Sequence, residues 1–126
     1  MNLQEFLNGR KADNVTAFVN VSERFKDENG NSLKFKIKAM RQSVFEEIRK
    51  KCGGNSAAFN RCIIIENTLE PNFKDAKSIN SLGLKTPEQY LDNVLLAGEA
   101  STLARSIIEL SGFKKNIEEL VEEVKN

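Results

Sequence analysis

The sequence predicts an α+β fold: an N-terminal antiparallel β-hairpin followed by a bundle of about four to five helices, within one domain of 126 residues. Three observations carry that prediction. Apolar and polar residues alternate on both sides of Asn29-Gly30, which is the period of a half-buried strand on either side of a hairpin turn. From residue 42 onward the apolar spacing changes to three and four and stays there. Strands therefore come first and helices after, which segregates the two classes instead of interleaving them.

The first fourteen residues read as a short amphipathic start and a polar loop, with Leu3, Phe6 and Leu7 on one helical face and Gly9 ending the pattern. The hairpin spans about residues 15–40. Val15, Ala17, Val19 and Val21 alternate with polar residues, interrupted by Phe18. Lys26 to Ser32 is a run of turn formers. Leu33, Phe35, Ile37 and Ala39 then face one way and Lys34, Lys36 and Lys38 the other, so Leu33, Phe35 and Ile37 are expected in the core.

The helical part spans about residues 42–125. Ser43-Val44-Phe45-Glu46 has the form of a capping box, Phe45, Ile48 and Cys52 stripe the helix after it, and Gly53-Gly54 stops it. A second helix is expected from Ser56 to Thr68 with Phe59, Cys62, Ile63 and Ile65 inward, followed by Pro71. A short helix from Asp75 to Leu82 closes at Gly83. Thr86-Pro87-Glu88-Gln89 is the strongest start signal: Thr caps, Pro takes the first helical position and Gln the acceptor position. Gly98 marks a break or a close packing point. Ala100, Leu103, Ala104, Ile107 and Ile108 give an unbroken helical stripe that Ser111-Gly112 ends, and Ile117, Leu120, Val121 and Val124 stripe a last helix.

Absences narrow the chemistry. There is no histidine, which removes the Ser-His-Asp triad, the Cys-His pair and the usual general base at neutral pH. Two cysteines, Cys52 and Cys62, are too few for a disulfide framework or a four-ligand zinc site. They are expected as small, buried, reduced thiols. Net charge is +1, so no whole-chain electrostatic argument favours nucleic acid or an anionic membrane. The longest apolar runs are four residues, and the N-terminus lacks the pattern of a secretory signal.

Four local patterns remain. Gly53-Gly54-Asn55-Ser56 has the composition of an anion-binding nest, but reads better as a helix stop followed by a cap. Ser111-Gly112-Phe113-Lys114 has SxxK spacing without its companion motifs. Glu118-Glu119 and Glu122-Glu123 lie opposite an apolar stripe, where a helix keeps solvated charges. Lys34, Lys36 and Lys38 with Phe18 form a basic face with one aromatic. That combination suits either an edge kept from aggregating or a nucleic-acid platform.

Ordered segments across the chain carry a resemblance. They are Leu3…Phe6-Leu7, Arg24-Phe25-Lys26-Asp27-Glu28-Asn29-Gly30-Asn31, Phe35-Lys36-Ile37-Lys38, Asn80-Ser81-Leu82-Gly83, Thr86-Pro87-Glu88-Gln89-Tyr90-Leu91, Leu95-Leu96-Ala97-Gly98-Glu99 and the close from Gly112 to Asn126. In this order and spacing the chain resembles the XkdN-like tail assembly chaperones of phages and prophages. It departs from their pattern at Ala100, where an aromatic is expected, and between Cys52 and Asn60.

The resemblance implies one tail-assembly-chaperone-like domain over residues 1–126 and a non-enzymatic role without cofactor or metal. Such a protein binds the phage tape-measure protein and keeps it soluble during tail assembly, in the cytoplasm of a bacterial host. The tail-tube protein is a further partner it allows, a homo-oligomer stays open, and neither membrane nor nucleic acid is an expected partner. The competing reading is a small nucleic-acid-binding adaptor using the basic hairpin face. A last helix of about three turns is marginal alone, so the stripe Ile117, Leu120, Val121 and Val124 must be buried as a lid or against the client. These four residues are the expected partner-binding site.

Overall fold

A computed structural model describes residues 1–9, 12 and 14–113. Along the chain it places α1 (Leu3–Gly9), β1 (Thr16–Val19), β2 (Phe35–Lys38), α2 (Gln42–Cys52), α3 (Ser56–Asn67), β3 (Thr68–Glu70), α4 (Ala76–Ser81), α5 (Pro87–Val94) and α6 (Ala97–Leu110). The fold is α+β, with five helices after the hairpin among the described residues. The predicted last helix lies outside the described residues.

β1 and β2 pair antiparallel, with Thr16 opposite Lys38 and Val19 opposite Phe35. The ladder is shorter than the alternation suggests, because the connection carries a turn of its own. Asp27 accepts hydrogen bonds from the backbone N–H groups of Asn29 and Asn31 at 2.8 and 2.9 Å, which holds its carboxyl below the usual range. Gly30 closes this turn at φ +81°, a left-handed conformation that only glycine adopts without strain. Leu33 N–H then donates to Phe25 O at 2.9 Å. Leu33 is not in the core as expected but 52% exposed. It keeps the side of Phe35 and Ile37 but lies before the β1–β2 ladder, at the open groove beside Phe25 and Phe35. Phe35 and Ile37 are buried, as expected.

β2 is the central strand of three, in the order β1-β2-β3. β3 was not expected. The chain passes from α3 into an extended segment with no intervening residue, and this segment pairs antiparallel with β2, Lys36 opposite Glu70 and Ile37 opposite Thr68. The irregularity between Lys36 and Ile37 leaves Leu69 exposed.

α3 is the hub of the core. Its Asn55 cap accepts from Ala58 N–H at 3.0 Å. Phe59, Ile63, Ile64 and Ile65 are all buried, and three consecutive buried isoleucines mean that the helix is covered on more than one side. α6 packs on it through Leu103, Ala104, Ile107 and Ile108, the stripe read from the sequence. Ser111 fixes the end of α6. Its hydroxyl accepts from Met40 N–H at 2.8 Å and donates to Ile107 O at 2.7 Å, while Gly112 turns left-handed at φ +93°.

The remaining caps test the start signals. Thr86 accepts from Gln89 N–H at 3.1 Å, as its sequence predicts, whereas Gln89 reaches back one residue further than a capping box does, to Lys85 N–H at 2.8 Å. Asp75 caps α4 through Ser78 N–H at 3.1 Å. The Ser43–Glu46 box is not formed. α2 starts earlier, after Arg41, and Glu46 pairs instead with Arg49 at 2.7 Å. The break before α6 falls at Leu95-Leu96, and Gly98 sits exposed in open space.

The two cysteines are also corrected. The turn at Gly53-Gly54 folds α2 back on α3, so Cys52 at the end of one meets Cys62 in the other, with Cα atoms 6.8 Å apart, and the structure joins them as a disulfide. Both are half-buried.

Candidate functional site

One buried carboxylate organises the hairpin end of the molecule. Glu99, in the first turn of α6, accepts from Leu96 N–H at 2.8 Å and so caps its own helix. Arg24, at the base of the hairpin's inner turn, donates to both Glu99 oxygens at 2.6 and 2.9 Å and to Val94 O at 2.8 Å. The Glu99 side chain is 6% exposed and the Arg24 side chain 47%. The Arg24 hydrogen bonds, chiefly, together with those from Leu96 N–H and Ser22, outweigh desolvation and pull the Glu99 carboxyl down to about 2. The contact is a bidentate fork between residues 75 apart in sequence, and it clamps the hairpin to the α5–α6 junction.

Beside the clamp lies an open groove of about 360 Å³. Phe25 and Phe35 form one edge-to-face pair, centroids 5.0 Å apart, and the Arg24 guanidinium lies 4.6 Å from the Phe25 centroid. Phe73 and Tyr90 form a second pair at 5.9 Å. Pro71, Val94, Leu95 and the exposed Leu33 complete the apolar lining, with Lys34 and Glu70 as its charged members. Such a lining recognises an apolar surface by area.

The outer face of the sheet is a different surface. Phe18, Lys36 and Glu70 stand in one cross-strand row. Phe18 is 65% exposed, and the Lys36 ammonium sits 5.6 Å from its ring centroid. A second groove, of about 350 Å³, lies between α3, α5 and α6. It is lined by Ala57, Asn60, Leu91, Leu96, Ala97 and Ala100 among others, with the Arg61–Asp92 ion pair at 2.9 Å. Ala100 lines this groove at the position where the resemblance leads one to expect an aromatic.

Of the residues singled out from the sequence, Ile117, Leu120, Val121 and Val124 lie outside the described residues, as do Lys114 and the Glu118-Glu119 and Glu122-Glu123 pairs. Ser111 spends its hydroxyl on two backbone groups, and the Asn55 amide occupies the N-terminus of α3 that a nest would offer. Among the described residues no cluster of His, Cys, Asp or Glu could hold a metal ion, and no helix is long and apolar enough to cross a membrane. The clamp and the aromatic groove were not read from the sequence. The one available signal was Glu99, three residues after the Leu95-Leu96 break, where a helix's own carboxylate reaches back to its first N–H groups.

Comparison with known proteins covers nearly the whole chain. The sequence model described as phage XkdN-like tail assembly chaperone protein matches residues 3–125. The chain is 29% identical to the uncharacterized protein YqbN of Bacillus subtilis (strain 168) over 138 residues, covering 98% of this chain and 93% of that protein. It is 28% identical, with the same coverage, to the phage-like element PBSX protein XkdN of the same organism. The crystal structure of YqbN superposes with a TM-score of 0.76 at 28% identity, over 90% of this chain and 98% of the other.

Proposed function

The chain belongs to the phage XkdN-like tail assembly chaperone family, and on that premise we propose that it binds the phage tape-measure protein and keeps it soluble while the tail assembles. The role is one of binding and release in the host cytoplasm, without catalysis. The observation that carries the reading is the groove lined by the half-buried Phe25 and Tyr90 over the buried Phe35 and Phe73. An amphipathic helix of a client lays its apolar face into such a groove, so the client's exposed stripe is covered until assembly displaces the chaperone. The apolar stripe Ile117, Leu120, Val121 and Val124 supplies a second contact in this proposal. The tail-tube protein is the partner that competes for the client.

The test is co-expression of the tape-measure protein from the same phage with and without this chain, followed by its distribution between soluble and pelleted fractions. Soluble tape-measure protein only in the presence of the chain is the expected result. Leu33→Glu places a charge in the groove at a residue already exposed. It should release the client to the pellet while leaving the circular dichroism of the chaperone unchanged. A client equally insoluble with the chain present, or equally soluble without it, overturns the proposal.

A further inference from the structure

We infer that the outer face of the sheet is a second docking surface, and that its occupant is an acidic helical segment of the client. This inference rests on the chaperone reading above. Charge complementarity carries it. Lys34, Lys36 and Lys38 occupy alternate positions along β2 and the residue before it, and none of the three forms an ion pair among the described residues. Glu70 stands opposite Lys36 in the ladder but does not neutralise it by contact. Phe18 adds an exposed ring in the same row.

The spacing favours a helix. Residues two apart on a strand advance about 6.7 Å, and residues four apart on a helix advance about 6 Å. A helix laid along β2 with carboxylates at i, i+4 and i+8 therefore meets the three ammonium groups nearly in step, and flexible lysine stems absorb the difference. A neighbouring apolar residue of that helix packs on Phe18. A nucleic-acid strand suits the face less well. It shows one exposed aromatic where a stacking platform uses several, and the Glu70 carboxylate lies in the same row.

The experiment uses the full chain and a 20-residue helical peptide with Glu at i, i+4 and i+8 and Leu on the adjoining stripe. Its control is the same peptide with Gln for Glu. Titration by fluorescence anisotropy is expected to show the Glu peptide binding at least tenfold tighter than the Gln peptide, with the difference shrinking as salt rises. Replacing all three lysines by Glu should abolish the preference, and the milder Lys→Gln triple variant serves if the reversal impairs folding by circular dichroism. Equal binding of the two peptides overturns the inference. So does a single-stranded oligonucleotide that binds through these lysines when the Glu peptide does not, or a homodimer lost in the triple variant with no peptide binding. The co-expression assay separates the two readings. If the triple variant keeps the tape-measure protein soluble as well as the original chain does, the sheet face is wrong and the chaperone reading stands. If the original chain fails to keep it soluble, the chaperone reading fails, and the peptide titration still decides the surface.

Discussion

Removing the charge of Glu99 should change the acid stability of the protein by an amount the structure lets one work out. The carboxyl is held at about 2, against an ordinary 4.5, by the Arg24 fork and by the Leu96 and Ser22 hydrogen bonds. At 1.36 kcal/mol per pH unit that gap corresponds to at most about 3 kcal/mol of folding free energy. Arg24 is half exposed, so solvent screening reduces the share to be expected to ~1–2 kcal/mol. The sign follows from a lowered folded-state pKa. The stabilisation is complete above about pH 4.5 and is lost as pH falls towards 2. Asp27 and Asp75 are also held low and lose stability over neighbouring acid pH, so the comparison must be with a variant that keeps them. Urea titrations of the original chain and Glu99→Gln, at steps between pH 7 and pH 2.5, isolate the Glu99 part. The gap between the two should be widest at pH 7 and should narrow by ~1–2 kcal/mol over the acid range. Parallel pH profiles would refute the assignment of that carboxylate to the clamp. Arg24→Met keeps the aliphatic stem over Phe25 but removes the fork, and it should flatten the profile in the same way.

The sheet register predicts that Phe35→Ala costs about 3–5 kcal/mol in urea, whereas Lys36→Ala costs less than about 0.5. Equal losses would place the wrong face of β2 in the core. The Cys52–Cys62 bridge closes a short loop, so reduction with dithiothreitol should lower stability by about 2–3 kcal/mol on the chain-entropy account. A thiol assay that finds two free sulfhydryls under non-reducing conditions would contradict the bridge itself.

What the sequence made legible was local. α5 announces itself because Thr86, Pro87 and Gln89 satisfy the first N–H groups within four residues, and α6 because its stripe repeats without error over three turns. β3 was hidden for a physical reason. It is three residues long and begins where a helix ends, so neither length nor a breaker separates Thr68 from Asn67. Leu33 misleads because alternation shows which side a residue faces and not whether anything covers it there; Leu33 lines an open groove. The clamp needed tertiary knowledge: Arg24 precedes a run of turn formers, Glu99 follows a glycine, and only folding brings them together. The aromatic groove is the same kind of object, since its four rings come from four separate stretches of chain.

The direct passage of α3 into β3 has a mechanical consequence. A three-residue strand at the edge of a sheet ordinarily frays, because nothing anchors its ends. Here its first residue, Thr68, is the immediate continuation of Asn67, a side chain fully shielded at the centre of the molecule that donates to Ile63 O at 2.9 Å. A tug on this edge is therefore borne by the innermost helix, like a ledge cast in one piece with its supporting column. The edge cannot peel away by itself, so its amides should exchange with deuterium on the timescale of global opening and not on that of a loose margin.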